Sequence, residues 1–195
     1  EWDMWTQFIV NDTNAGLGLD ALKNSHPIEA DVRDPAQIQE LFDAISYSKG
    51  GAILRMLEQF LGEKVFQNGI HDYLASHAYE NAKTADLWEA LEKASGEPVT
   101  SIMGTWTQQM GYPVLSTDIV RHGDNVEVKI SQRRFVYDQS DVDVVDQSLW
   151  QVPVSIVSAT GSGIDRSLLT EKDGVIRLQE AGKNLVSDAW VKVNA

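Results

Sequence analysis

Among the residues able to do chemistry in this 195-residue chain, the histidines come first: His26, His71, His77 and His122, with no cysteine anywhere. A zinc pair on one helix face needs histidines four apart, with a glutamate between them in a hydrolase. His71 and His77 are six apart and fall on nearly opposite faces of a helix. His26 precedes a proline, and His122 sits in a turn. All four are read as solvated or structurally bonded side chains, and the chain offers no recognisable metal site. Without cysteine there is no disulfide framework, no thiolate nucleophile and no Cys-ligated metal. No Gly-x-Ser-x-Gly elbow is present to present a nucleophilic serine. Thr160-Gly161-Ser162-Gly163 lies between strands and is expected to be a turn. Lys49-Gly50-Gly51 lacks the rest of a phosphate-loop pattern and the strand before it.

The unusual stretch is Asp43-Ala44-Ile45-Ser46-Tyr47-Ser48-Lys49-Gly50-Gly51. It joins two helices and places paired glycines where an apolar helix begins. Each glycine there costs about 1 kcal/mol relative to alanine, so close approach of another backbone or room for a ligand must offset them. Tyr47 carries a phenol able to donate a hydrogen bond. On composition alone it is expected to be a buried, bonded tyrosine.

The elements that must position these residues fall into two parts. Residues 1–112 read as successive helices. Trp2, Trp5, Phe8 and Ile9 recur at helical spacing with one buried face. Asp34-Pro35 pairs a capping carboxylate with proline at the first helical position, opening a helix over Ala36 to Phe42. Ile53, Leu54, Met56, Leu57, Phe60 and Leu61 form an apolar stripe ended by Gly62. Val65, Phe66, Ile70, Tyr73 and Leu74 repeat the pattern. Thr84 is expected to cap a helix over Ala85 to Ala94 with Leu87, Trp88 and Leu91 inward, closed by Gly96. Pro98 starts a last helix through Ile102, Met103, Trp106 and Met110, stopped by Gly111. From Pro113 the period becomes two. Strands are expected over Val114–Arg121, Val126–Arg134, Trp150–Ser158, Val175–Leu178 and Leu185–Val193. His122 to Asn125 makes a hairpin turn and Asp138 to Asp146 an acidic loop.

The formal charge of -13 argues against phosphate-backbone binding, which needs a basic surface, so no nucleic-acid partner is expected. The acidity is uneven, with 17 acidic and 7 basic residues in 1–112 against 12 and 9 in 113–195. No run of about eighteen apolar residues could span a membrane. No repeat of fixed period occurs, which weakens a solenoid reading. The chain opens Glu1-Trp2-Asp3, without Met or a signal peptide, and reads like a piece of a longer protein.

Phe42-Asp43-Ala44-Ile45-Ser46-Tyr47-Ser48-Lys49-Gly50-Gly51-Ala52, followed by Met56-Leu57, resembles a hallmark stretch of the gluzincin aminopeptidases, the family of aminopeptidase N and puromycin-sensitive aminopeptidase. Further likenesses follow in family order: Ser25-His26-Pro27-Ile28, Asn81 to Trp88, Met103 to Val114, Trp150 to Val154 and Trp190 to Asn194. They cover essentially the whole chain. The resemblance implies an α+β chain in two parts: residues 1–112 as the all-helical C-terminal half of a thermolysin-like peptidase domain, and 113–195 as a small antiparallel β-sandwich.

By the same resemblance, Tyr47 is the catalytic residue here, donating its phenol hydrogen to the oxygen of the tetrahedral intermediate, opposite the zinc. The family's His-Glu-x-x-His helix, its downstream glutamate and its Gly-x-Met-x-Asn stretch do not occur in this chain. The resemblance places them upstream of Glu1. Zinc is therefore expected in the parent protein and not in this fragment, and the fragment alone is expected to be inactive on the peptide substrates of its parent. The alternative is a non-catalytic helical plus β-sandwich module for protein or peptide binding. The tryptophan-rich start is the expected exposed patch, favouring self-association.

Overall fold

The computed structural model describes residues 2–122, 125–138, 146–158, 164–178 and 190–194. The chain forms an α+β arrangement, helices first and two small antiparallel sheets after. Two compact units divide it: Glu1–Tyr112 with Phe135–Val144, and Pro113–Arg134 with Val145–Ala195.

In the helical unit, α1 (Met4–Phe8) runs through a π-helical turn at Ile9–Thr13 into α2 (Asn14–Asp20). A 3-10 segment follows at Pro35–Leu41 and a second π-turn at Ile45–Lys49. Then come α3 (Gly50–Leu61), α4 (Glu63–Ser76), α5 (Thr84–Ser95) and α6 (Val99–Thr107). The stripe on α3 buries Ile53 and Leu57, α5 buries Trp88 and Leu91, and α6 buries Val99, Ile102, Met103 and Trp106. Each such side chain contributes roughly 1.5–3 kcal/mol when fully removed from water. Phe135 and Tyr137 belong to this unit as well. The Phe135 amide donates to the Tyr112 carbonyl at 2.9 Å, and the Tyr137 amide to that of Ala21 at 2.9 Å.

Several expectations change. Trp2 and Trp5 are 82% and 52% exposed, and Ile9 is exposed with them. The extra residue of the π-turn interrupts the helical period just after Phe8, and of this stripe Phe8 alone is half-buried. The segment opened by Asp34 is 3-10, not α. Asp34 still caps it, accepting the Ala36 amide at 2.9 Å, but Ile38 and Phe42 stay exposed. Thr84 is the first residue of α5 rather than its cap, and Asp86 closes that end by accepting the Lys83 amide at 2.7 Å. Helix α6 stops at Thr107, four residues before Gly111, whose φ is 86°.

In the second unit, β1 (Pro113–His122) pairs with β2 (Asn125–Arg134), and β2 with β5 (Asp173–Leu178), giving the order β1-β2-β5. The other sheet has the order β4-β3-β6, from β3 (Val152–Ser158), β4 (Asp165–Leu169) and β6 (Val191–Val193). Strand β4 was not expected; its half-buried run Asp-Arg-Ser-Leu-Leu does not alternate. Conversely, residues 185–189 of the expected last strand, the turn at 160–163 and the tip of the acidic loop at 139–145 lie outside the described residues. The inward side chains of β2 and β3 do alternate: Val126, Val128, Ile130 and Gln132, then Val152, Val154 and Ile156. The sheets meet where Gly174 lies against Leu169, since a Cβ on Gly174 would come within 2.6 Å of Leu169 Cδ1.

Gln132 is the polar member of this core. Its amide nitrogen donates to the carbonyls of Trp150 and Glu171 at 2.8 and 2.9 Å, and its oxygen accepts the Trp150 amide at 3.0 Å. A Gln132→Leu substitution keeps the volume but leaves the buried amide and carbonyl of Trp150 without these partners, each worth about 1–3 kcal/mol when stranded. The urea midpoint of the sheet unit should fall by an amount equivalent to at least ~2 kcal/mol, and an unchanged midpoint would contradict this role.

Candidate functional site

The site is built around the π-turn Ile45–Lys49, which holds Tyr47 in its middle. Two interactions fix the turn, one before the tyrosine and one after it.

Before it, Asp43 acts as a local cap. Its Oδ1 accepts the backbone amides of Ile45 and Ser46 at 2.9 and 3.0 Å, and its carbonyl accepts the Tyr47 amide at 3.2 Å. Its Oδ2 lies 2.9 Å from His26 Nε2, while His26 Nδ1 lies 2.9 Å from the Pro27 carbonyl. Both neighbours of the imidazole are acceptors, so the ring satisfies both only when each nitrogen carries a proton. Burial opposes a charged His26, but the Pro27 carbonyl and the Asp43 carboxylate outweigh it and raise the pKa above 6.5. For Asp43, burial is again the largest influence and acts upward. The Ser46 amide, His26 and the Ile45 amide overcome it and hold the carboxyl below 3.8.

After the tyrosine, Lys49 is 1% exposed, and its Nζ lies 2.8 Å from Oδ2 of Asp20, which is fully buried. The ammonium also donates to the Gly111 carbonyl at 3.0 Å. Asp20 Oδ1 accepts the Gly111 amide at 2.8 Å and the Ser25 hydroxyl. One carboxylate and one ammonium thus join the end of α2, the start of α3 and the segment after α6. Burial, and next the charge of Asp20, push the phenol of nearby Tyr112 up from its ordinary value. The backbones also touch: a Cβ on Gly16 of α2 would stand 2.6 Å from the Lys49 nitrogen and 3.1 Å from the Ala44 carbonyl. Only glycine permits that approach. Ser48 adds a hydroxyl contact of 3.3 Å to Asp12 in the first π-turn.

Tyr47 itself is 63% exposed, its ring 5.8 Å from that of Phe42. The expectation from composition of a buried, bonded tyrosine is therefore wrong: the segment is anchored by its neighbours and turns the phenol outward. Of the paired glycines, Gly51 faces the ring of Phe8, where an added Cβ would stand 3.1 Å from Cζ, and Gly50 has open space. Among the remaining histidines, His71 is exposed beside Asp72, and His77 lies 3.6 Å from Asp86. His26, Asp43, Lys49 and Asp20 received no role from the sequence. For Lys49 the signal was there: it shares a helical face with Ile53 and Leu57 at four-residue steps, both buried. Nothing comparable marks Asp20.

A buried ion pair is most damaging when only half of it is removed. Lys49→Met should therefore lower the stability of the helical unit by about 3–5 kcal/mol in chemical unfolding followed by its helical circular dichroism. Adding Asp20→Asn removes the stranded charge while keeping an acceptor for Gly111, and should recover part of that loss. Equal losses in the single and double variants would show that the charge is not what matters.

The geometry can be set beside known proteins. The model of the peptidase family M1 domain matches residues 1–106. Aminopeptidase M1 of Arabidopsis thaliana is 41% identical over 203 aligned residues, covering 100% of this chain and 22% of that protein. Puromycin-sensitive aminopeptidase of Caenorhabditis elegans is 40% identical over 197, covering 100% and 20%. Tricorn protease-interacting factor F2 of Thermoplasma volcanium is 42% identical over 161, covering 83% and 20%. The chain thus spans about a fifth of the length of these curated relatives. With the match extending over more than half of its residues, including the whole Asp43–Lys49 turn, the chain belongs to peptidase family M1.

Proposed function

We propose that this chain is part of an aminopeptidase that removes amino-terminal residues from peptides, and that Tyr47 supplies a hydrogen bond to the transition state. Residues 1–112 are read as the later, helical portion of its peptidase domain, and 113–195 as the β-sandwich domain that follows. The M1 match over residues 1–106 and the relatives named as aminopeptidases support this reading. The observation that carries the role of Tyr47 is an outward phenol on a turn whose two ends are tied into the unit.

As a nucleophile adds to a peptide carbonyl, negative charge gathers on the oxygen. A phenol already held at that oxygen donates to it with little reorganisation, and such a donor acts more strongly on the transition state than on the substrate. Family M1 chemistry in general uses zinc. Among the described residues, no group of three or more His, Cys, Asp or Glu could hold a metal ion. In this reading the zinc belongs to residues outside the chain, and the chain on its own does not hydrolyse peptides. Among the described residues no helix is long and apolar enough to cross a membrane.

In the full-length aminopeptidase, Tyr47→Phe should lower kcat by about 10²–10³ with KM little changed, the loss typical of one oxyanion donor. A correctly folded Tyr47→Phe enzyme with near wild-type turnover would remove the tyrosine from the mechanism. The exposed Trp2, Met4, Trp5, Ile9 and Val10 also make this isolated chain prone to self-association. Sedimentation should show its average mass rising with concentration, and a clean monomer at high concentration would contradict this.

A further inference from the structure

The Ser25-His26-Pro27-Ile28 segment is far from Tyr47 in sequence and has no part in the chemistry above, yet its imidazole reaches the turn that carries the tyrosine. We propose that His26 is a positioning residue for Tyr47, acting through the Asp43 carboxylate that caps the π-turn. The inference rests on the reading of Tyr47 as the transition-state donor.

The chain of contacts is short. His26 Nε2 holds Asp43 Oδ2 at 2.9 Å, which fixes the rotation of the carboxylate. The other oxygen then accepts two successive amides, those of Ile45 and Ser46, the residues leading directly into Tyr47. A carboxylate free to rotate would share these bonds with water and loosen the first half of the turn. The second half would stay fixed by Lys49 and Asp20. The expected defect is a displaced phenol in a folded protein, which is a loss of geometry rather than of stability.

The charge state of His26 enters because both of its partners are acceptors. The charged groups that face it are Asp43, on the segment before the turn, and Asp20, at the end of α2. Asp20 is itself matched by Lys49. Loss of the proton removes one of the two bonds of the ring. Since the pKa of His26 lies above its ordinary value, the contribution of the charged ring to stability is complete below pH 6.5 and is lost as pH rises through the folded-state value. For Asp43 the sign is opposite: its contribution is present above pH 3.8 and lost as pH falls through its lowered value. The cap is complete between those limits.

The test uses the full-length aminopeptidase with His26→Ala, His26→Gln, Tyr47→Phe and the double variant His26→Ala/Tyr47→Phe. Glutamine retains an amide donor for Asp43 without the titration. His26→Ala should lower kcat roughly tenfold with KM nearly unchanged, as expected for a modest misplacement of a catalytic group. His26→Gln should restore most of that rate and remove the alkaline-side ionisation that His26 gives the wild-type kcat profile. In the Tyr47→Phe background, His26→Ala should cost nothing further, because the group it positions is gone. A tenfold loss that persists in that background would overturn the proposal.

A second measurement guards against misfolding and separates this proposal from the reading of Tyr47. In the unmodified 195-residue chain, the amide resonances of Ile45 and Ser46 should titrate together with the His26 ring. Resonances that ignore the His26 titration would overturn the positioning role, even if Tyr47→Phe is inactive. If instead they follow it while Tyr47→Phe keeps full turnover, the catalytic reading fails, and the proposed role for His26 in catalysis fails with it.

Discussion

A lysine and an aspartate buried together, Lys49 against Asp20 at 2.8 Å, are the constraint on which the rest of the helical unit depends. Taking either charge out of water alone would cost several kcal/mol, so each is tolerable only in the presence of the other. Both also bond to one residue, Asp20 to the amide and Lys49 to the carbonyl of Gly111. As a result, three segments distant in sequence must arrive together: the end of α2, the turn before α3, and the chain after α6. The ion pair, with its directional bonds, fixes how these three segments meet.

That constraint has a consequence for Tyr47, which lies two residues before Lys49. A π-turn is rare, occurring mostly as a single turn within helices, and its surroundings must hold it. Here the Ala44 carbonyl accepts the amides of both Ser48 and Lys49 at 2.9 Å, Gly16 lets α2 press directly on the turn, and Asp43 caps its start. The turn is buried at Ile45 and Lys49 and exposed at Tyr47. A rigid base with an outward polar tip is what a preorganised donor requires, because a donor that had to be ordered during the reaction would lose much of its advantage. Acidity fits the same picture only loosely, since the surplus of carboxylates is spread over the whole helical part.

The helices α3 to α6 were legible because their apolar stripes follow the helical period and end at glycines, and the longer strands because they alternate. The N-terminal twenty residues misled for a definable reason. Trp2, Trp5 and Phe8 have the spacing of a buried face, but one inserted residue at Ile9–Thr13 changes the hydrogen-bond pattern without changing composition, and while Phe8 is half-buried, Trp2, Trp5 and Ile9 stay exposed. Strand β4 escaped because it is half-buried without alternation. At the site, Tyr47 is singled out by resemblance to a family, not by spacing, and its exposure runs against the reading from composition. Lys49 stood on the buried helical face of Ile53 and Leu57, but a buried charge is rare and becomes plausible only with its partner Asp20, which nothing local marks. Pairs separated by 29 residues have no local signature. His26 and Asp43 stood inside recognised stretches, but their contact exists only in the fold.

The most direct check on this account is amide hydrogen exchange at Ser48 and Lys49 in the unmodified chain. If the buried pair holds the turn as described, these amides exchange only when the helical unit unfolds as a whole, at the rate of the core amides of α3. Exchange as fast as that of the exposed 3-10 segment at Pro35–Leu41 would mean that the turn opens on its own. Tyr47 would then have no fixed base from which to act.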